Sequence, residues 1–211
     1  MTDIGYGALK GRIAVIGWGS LIWDLDNLAH LIAGDWMMGA GPSLPFEFTR
    51  VSPKRKMGLA VCLDYANGDL CPTNAILSVR DDIHEAAEDL RARERARIID
   101  YIGLIHPESG ARRSSIPEVA DIFEDWCRRT GAAGAVWTDL GGNFEEDRGQ
   151  PFTVPSAIAY LKTLQGDSLI EAVRYIEYAP MATNTPLRRA LAKDDWWRDQ
   201  AAQHCVPPRK A

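Results

Sequence analysis

Two stretches of the sequence hold residue types that suit chemistry: a glycine-rich turn, and a lone carboxylate on an apolar stripe. The turn, Gly17-Trp18-Gly19-Ser20, follows residues 13–16, an apolar run with the length and β-branched content of a buried strand. Two glycines within three positions let the backbone adopt positive φ and leave the N–H groups unobstructed. Such a turn can bind a carboxylate or an oxyanion. A tight turn that lets a helix pack closely has the same pattern, so both interpretations stay open.

Spacing excludes three common motifs for this turn. A dinucleotide-binding fingerprint requires a third glycine at the position of Ile22, and a hydrolase nucleophile elbow requires a glycine there as well. A phosphate-binding P-loop requires Gly-Lys followed by Ser or Thr, which the turn does not contain. The turn is therefore assigned to none of these classes of site.

The carboxylate is that of Glu94. Apolar residues at steps of three and four predict one face of a single long helix, made of Ile83, Ala87, Leu90, Glu94, Ile98, Tyr101 and Ile105. A carboxylate on a buried face is unfavourable unless it is paired, so Glu94 is either neutralised by a neighbouring arginine or present for chemistry. The candidate structural partners are Arg93 and Arg97, and also Arg91 and Arg95. A surface position on a helix that ends early is the other interpretation.

The order of the surrounding elements predicts an α+β fold. Strands are predicted at residues 13–16, 46–51, 57–63, 73–79, 132–140 and 170–178, and those at 46–51 and 57–63 are expected to pair as a hairpin. Helices are predicted at 83–105, from Pro117 to a stop at Gly131, at 155–164 and from 185 to 191 or beyond, with a short helix or turn at 24–33. The charged residues 145–148 are expected to form a solvated loop. Strands cluster early and do not alternate regularly with helices, which favours a small mixed β-barrel with flanking helices. We expect one domain over residues 1–211, with a helical insertion at about 95–130 and a tail at about 192–211.

Composition limits the classes of partner. The chain has 211 residues, 46% of them hydrophobic and 25% charged, which is enough to bury a full core. A net charge of −5 argues against nucleic-acid binding, and the basic run at residues 54–56 is too short to change this. Residues 1–11 do not resemble a signal peptide, and no apolar run is long enough to span a membrane. We expect a cytoplasmic protein without nucleic-acid or membrane partners.

The cysteines do not predict a metal site. Cys62, Cys71, Cys127 and Cys205 form no CxxC pair, and the histidines lie far apart except for His204, which adjoins Cys205. We expect reduced, mostly structural thiols. Zinc binding at His204 and Cys205 is rejected because the surrounding tail has the composition of a fraying terminus.

The turn and the carboxylate together resemble motifs of the γ-glutamylcyclotransferase-like superfamily and, within it, of the ChaC-type branch. That branch has a Tyr-Gly-Ser-Leu loop followed by an aliphatic residue and Trp, and residues 19–23 match it as Gly-Ser-Leu-Ile-Trp. A later helix of the family ends in Arg-Glu, matched by Arg93-Glu94. The resemblance covers residues 13–94 and the strand at 135–137. Two features depart from the family: Trp18 replaces the loop tyrosine, and the residues after Glu94 are predicted to continue the helix instead of placing a glycine and a tyrosine on a strand.

The resemblance implies an enzyme that closes a γ-glutamyl group into 5-oxoproline and releases an amine, without cofactor or metal. Glu94 would be the general base. The N–H groups of the loop would hold the substrate carboxylate or the developing oxyanion, and these groups belong to Gly17, Trp18, Gly19, Ser20 and Leu21. Ser20 would donate or accept hydrogen bonds and would not be a nucleophile. Arg50 lies at the end of a strand that is predicted to neighbour the first one, and it would either aid carboxylate binding or form a structural ion pair.

Two alternatives come from other functional classes. One is a non-catalytic protein that binds a small carboxylate on the same fold. The other is an interaction protein, which would require Trp196 and Trp197 to belong to a large exposed apolar patch. The oligomeric state and the leaving amine are not specified by the sequence.

Overall fold

The structure, a computed structural model, describes residues 6–204. The strands are β1 (Ile13–Gly17), β2 (Ile32–Met37), β3 (Ser43–Ser52), β4 (Gly58–Leu63), β5 (Asp69–Pro72), β6 (Asn74–Ser78), β7 (Ile102–His106), β8 (Ala111–Arg113) and β9 (Gly134–Thr138). The helices are α1 (Ile83–Glu94), α2 (Pro117–Thr130), α3 (Phe144–Arg148), α4 (Val154–Thr163), α5 (Gly166–Tyr178), α6 (Pro186–Leu191) and α7 (Asp195–His204). The predicted α+β class is confirmed.

The described residues form two compact units, residues 6–44 with 72–140 and residues 45–71 with 141–204. Two of the three points at which the chain changes unit lie at segments rich in glycine or proline, residues 39–45 and 141–142. Such segments are typical of breaks between packed elements. A single domain over residues 1–211 stays a prediction.

The first unit is built on a six-stranded mixed sheet in the order β2-β6-β1-β9-β7-β8. β1 is central: it pairs antiparallel with β6 and parallel with β9, and all of its residues are buried. A strand that is covered on both faces reads as a continuous apolar run, which is why residues 13–16 show no alternation. Helix α1 packs across β1, β9 and β7.

The second unit contains the three-stranded sheet β4-β3-β5 and helices α3 to α7. The expected hairpin is present, with β3 and β4 in antiparallel register from Phe46↔Leu63 to Ser52↔Gly58. Helix α5 packs on β4, and a Cβ atom at Gly58 would lie 3.2 Å from Ala172 of that helix. Glycine at position 58 therefore allows the close approach of helix and strand.

The expectation of a barrel is wrong. Within residues 6–204 the strands form two open sheets, and β2 and β8 are the edges of the larger one. Each edge strand has one partner strand, β6 for β2 and β7 for β8. β2 is irregular, with a register shift between Ala33 and Met37, and such irregularity limits further pairing at an edge.

The expectation of one helix over residues 83–105 is also wrong. Helix α1 ends at Glu94 because Arg95 adopts a left-handed conformation with φ 54°, and its N–H donates to the Ala92 carbonyl. The Ala96 N–H donates to the Arg91 carbonyl at 3.1 Å, which completes a Schellman C-cap. The chain then enters β7, so the segment at 95–130 contains two strands as well as helix α2.

Three shorter predictions need correction. Residues 170–178 belong to helix α5 and not to a strand, since Ala172, Val173, Tyr175 and Ile176 are buried with helical spacing. Residues 24–33, expected as a short helix or turn, form a 3-10 turn at Asp26–Leu28 and then the start of β2, which was not expected there. The charged stretch at 145–148, expected as a loop, lies in α3.

No helix among residues 6–204 is long and apolar enough to cross a membrane. The cytoplasmic location stays a prediction.

Candidate functional site

The glycine-rich turn leaves the sheet at the end of β1. Glycine at position 17 leaves room for the packed side chains of Trp36 and Ile22. A Cβ atom there would lie 2.9 Å from Cη2 of Trp36 and 3.2 Å from Cδ1 of Ile22. Its φ is not positive, contrary to expectation. The Gly17 carbonyl accepts a hydrogen bond from the buried Asn74 side chain at 3.2 Å, which fixes the start of the turn.

The turn continues into a 3-10 helix at Ser20–Ile22. Its N-cap, Gly19, has φ −126° and ψ −137°, outside the main regions open to residues with a side chain. Within residues 6–204, the N–H groups of Gly19, Ser20 and Leu21 donate to no protein acceptor. Three neighbouring donors of this kind suit a carboxylate or an oxyanion.

Trp18 is buried in this turn, with 5% of its surface exposed. This burial favours a role for Trp18 in packing the turn.

Helix α1 brings Glu94 to the turn. The helix begins at Asp82, whose side chain accepts hydrogen bonds from the N–H groups of His84 and Glu85, as expected for an N-cap. Its buried face consists of Ile83, Ala86, Ala87, Leu90 and Arg93. The charged residue on the buried face is therefore Arg93, and Glu94 lies at the border of that face.

The Arg93 guanidinium connects the helix to the turn. Arg93 is 1% exposed, and its Nη1 donates to Oε1 of Glu94 at 2.5 Å. Its Nη2 lies 3.4 Å from Oγ of Ser20 and also donates to the carbonyl of Asp24. One guanidinium therefore contacts both the predicted base and the predicted anion-binding turn.

Glu94 is less buried than the sequence pattern suggested. Its side chain is 18% exposed, compared with 1% for Arg93. Glu94 is therefore paired with an arginine, as one interpretation of the sequence expected. Its carboxylate is also accessible to solvent or a ligand, as a role in chemistry requires.

The strand ends explain why these parts meet. β1 and β9 are parallel, with Ile16 opposite Trp137. The turn after β1 and Asp139 after β9 therefore lie at the same end of the sheet, beyond the carboxyl ends of these strands. β7 runs antiparallel to β9 and so begins at this end of the sheet. The Asp139 N–H donates to the Tyr101 carbonyl at 2.8 Å. Ligand sites in α/β sheets often form beside such strand ends.

Asp139 is a buried carboxylate at this end of the sheet, with 3% of its surface exposed. Its Oδ1 accepts hydrogen bonds from Trp137 Nε1 at 2.9 Å and from Ser114 Oγ at 3.1 Å. Its Oδ2 accepts one from the Ser115 N–H. These bonds use both oxygens to hold the segment before α2 against the end of β9, which is a structural role.

The strand that carries Arg50 was expected to neighbour β1, but the two strands belong to different sheets. Arg50 lies on β3, which pairs with β4 and β5 in the second unit, whereas β1 pairs with β6 and β9. Arg50 Nη1 donates to the Gly141 carbonyl at 2.8 Å, a structural hydrogen bond within that unit. A substrate-binding role for Arg50 has no support from this contact.

The two C-terminal tryptophans do not favour an interaction surface. Trp197 is 1% exposed, and its Nε1 donates to Oε1 of Glu177 at 2.7 Å. Trp196 is half-buried, with Nζ of Lys162 at 5.3 Å from its ring centroid. The exposed patch that the interaction hypothesis required is therefore not formed by this pair.

The described cysteines do not have the properties of nucleophiles. Cys62, Cys71 and Cys127 are buried. Burial raises the pKa of Cys62 to about 11 and that of Cys127 to about 12, so these thiols stay protonated at neutral pH. Cys205 lies outside the described residues.

Sequence reasoning treated Arg93 only as a partner for Glu94 and did not single out Asn74 or Asp139. All three are buried polar side chains, and each has at least one hydrogen-bond partner that is distant in sequence. A helical pattern could have selected Arg93, because it lies three residues after Leu90 just as Glu94 lies four after it.

Comparison of the chain with models of protein families, with curated proteins and with solved structures gives no match. The chemistry of the site is therefore argued from its own residues: a carboxylate, a buried guanidinium and a turn with three N–H donors.

Proposed function

We propose that the protein is a γ-glutamylcyclotransferase-like enzyme acting on a γ-glutamyl amide or peptide, with the fold of that superfamily. In this reaction the α-amine of the γ-glutamyl group attacks its own γ-carbonyl carbon. A new C–N bond closes the five-membered lactam, and the C–N bond to the leaving amine breaks. The products are 5-oxoproline and a free amine. The reaction is an internal exchange of one amide for another and needs no oxidant, reductant or water.

The observation that carries this proposal is the contact of one guanidinium with both halves of the site. Arg93 binds Glu94 at 2.5 Å and lies 3.4 Å from the Ser20 hydroxyl. The Glu94 carboxylate and the turn are thus within the span of a single arginine side chain. A base and an anion-binding turn at this separation can act on the two ends of one small substrate.

The residues have complementary roles in the proposal. Glu94 takes the proton that the α-amine loses during attack and returns it to the leaving amine, as one carboxylate can do in both directions. The N–H groups of Gly19, Ser20 and Leu21 bind the α-carboxylate or the oxyanion that develops on the γ-carbonyl. The Ser20 hydroxyl is already within reach of Arg93 and acts as a hydrogen-bonding group.

The test is direct measurement of product. Purified protein is incubated with a panel of γ-glutamyl compounds, including glutathione and γ-glutamyl amides of small amines, and 5-oxoproline is quantified by mass spectrometry. We expect release of 5-oxoproline from at least one member of the panel. Absence of product from every member, with protein that is folded by circular dichroism, would contradict the proposal.

A second candidate is a protein that binds a small carboxylate without turnover. Two observations favour it: Oε1 of Glu94 already accepts a charge-assisted hydrogen bond from Arg93, and Trp18 is buried where the family has a tyrosine. This candidate predicts that L-glutamate or 5-oxoproline raises the Tm of wild type and of Glu94→Gln equally, with no product at any pH. Product formation by wild type would exclude it.

A further inference from the structure

Arg93 occupies a position that arginine rarely holds. It lies in the last turn of α1 with 1% of its surface exposed, on the face that packs onto the sheet. Arginine is almost never fully buried unless it is paired, because removal of its charge from water is strongly unfavourable. A buried arginine in this position therefore requires a specific set of acceptors.

The acceptors of Arg93 come from two parts of the chain. Glu94 is its sequence neighbour, whereas Ser20 and Asp24 lie 73 and 69 positions away. Nη1 is directed to the carboxylate, and Nη2 is directed to the segment that follows the turn. Because the guanidinium is planar and rigid, these contacts fix the carboxylate and the turn in one mutual arrangement.

A second ion pair holds the same two parts at the surface. Arg95 Nη2 lies 3.2 Å from Oδ2 of Asp26, and both side chains are largely exposed. An exposed pair of this kind contributes little to stability. Arg93 couples the end of α1 to the turn from a buried position.

We propose that Arg93 is a positioning residue that sets the distance between the Glu94 carboxylate and the N–H groups of the turn at Gly19–Leu21. Its catalytic consequence rests on the proposed function, since only an enzyme gains from this distance. Displacement of a reacting group by about 1 Å can lower a rate on the order of 100-fold. Loss of the guanidinium is therefore expected to act on kcat more than on KM.

The experiment uses three variants of the full chain. Arg93→Ala removes the guanidinium, and Arg93→Lys keeps the charge but not the planar fork. Arg91→Ala is the matched control, because Arg91 lies two residues earlier on α1 and its side chain contacts Glu88 and the Ala96 carbonyl instead of the turn. Arg93→Met, whose unbranched apolar side chain fills the same space, replaces Arg93→Ala if the latter does not fold.

Two readouts are taken: the rate of 5-oxoproline release, and amide hydrogen exchange in peptides covering residues 18–24. In Arg93→Ala we expect kcat to fall on the order of 100-fold and exchange in this segment to become about tenfold faster, while exchange in β9 stays unchanged. Arg93→Lys should lose most of the rate as well. Millimolar guanidinium, and not an equal concentration of ammonium, should restore part of both readouts in Arg93→Ala.

The outcomes separate this inference from the proposed function. If wild type releases no 5-oxoproline, the proposed function fails, and hydrogen exchange alone decides whether Arg93 holds the turn. If Arg93→Ala matches Arg91→Ala in exchange over residues 18–24, the positioning role is overturned. It is equally overturned if wild type is active and Arg93→Lys keeps the full rate.

Discussion

Nη2 of Arg93 lies 3.4 Å from Oγ of Ser20, although the two residues are 73 positions apart in the chain. Through this contact the end of helix α1 meets the turn that follows strand β1. The meeting places the Glu94 carboxylate beside a segment with three N–H donors that have no acceptor among residues 6–204. The proposed chemistry needs both groups within reach of one small substrate.

The strands that end beside this site pack through Trp137 of β9, which lies against Gly103 of β7. A Cβ atom at Gly103 would lie 2.1 Å from the Trp137 ring, which is fully buried and stacked on Phe123 with a centroid separation of 3.9 Å. We expect Gly103→Ala to lower the free energy of unfolding by about 1–3 kcal/mol, as overpacking does. Urea denaturation checks this.

The matched control is Gly7→Ala, since a Cβ atom at Gly7 would have no neighbour within 4 Å. Its free energy of unfolding should stay within about 0.5 kcal/mol of wild type. Equal stability of Gly103→Ala and Gly7→Ala would contradict the described contact between β7 and Trp137.

Asp139 offers a test of the hydrogen bonds beneath the site. Asn has one acceptor oxygen where Asp has two, so in Asp139→Asn either Trp137 and Ser114 or the Ser115 N–H would face an NH₂ group. A buried donor without its acceptor costs about 1–3 kcal/mol, and we expect a loss of that size in urea denaturation. Asp125→Asn, at an exposed position of α2, should change stability by less than about 0.5 kcal/mol. Comparable effects of the two changes would argue against a structural role for Asp139.

Glu47 in the second unit gives a prediction about pH. Its side chain is fully buried, and its oxygens accept hydrogen bonds from the N–H groups of Phe48 at 2.8 Å and Leu187 at 2.9 Å. Burial raises the pKa of Glu47 above its ordinary value of 4.5, against the lowering effect of hydrogen bonds from Thr185, Phe48 and Leu187. The folded protein therefore binds this proton more tightly than the unfolded chain does.

The resulting stabilisation is fully present below the unfolded pKa and is lost as the pH rises through the folded pKa. Glu47→Gln is neutral at every pH, so the unfolding free energy of wild type relative to Glu47→Gln should fall as the pH rises above 4.5, by at most about 1.4 kcal/mol per pH unit. Urea denaturation from acidic to neutral pH measures the difference, and Glu146→Gln, at an exposed position, is the control. A difference that stays constant or grows with pH would refute the prediction.

Much of the fold follows from local signals in the sequence. Helix α2 starts with Pro117 at its first turn and ends at Gly131 with φ 74°, as predicted from the proline and glycine positions. Strand β1 and the β3–β4 hairpin were also predicted, since apolar runs and turn residues mark them. These elements depend on residues close in sequence.

The errors occur where distant contacts decide the structure. Nothing local ends α1, because residues 91–98 are good helix formers, and Arg95 adopts φ 54° without the usual glycine or asparagine. Helical spacing after Leu90 allows either Arg93 or Glu94 on the buried face. The choice of Arg93 depends on acceptors at Ser20 and Asp24, which only the folded chain brings near. The candidate site was thus predicted in its two halves but not in the arginine between them.

The most direct test of the proposed mechanism compares Glu94→Gln with Glu88→Gln. Both residues lie on α1 and pair with an arginine, but Glu88 is exposed and has no role in the proposed chemistry. With the best γ-glutamyl substrate of wild type, we predict that Glu94→Gln lowers kcat for 5-oxoproline release by about 100-fold or more, the usual contribution of a general base. Glu88→Gln should stay within about twofold of wild type. Release of 5-oxoproline by folded Glu94→Gln at the wild-type rate would contradict the assignment of Glu94 as the base.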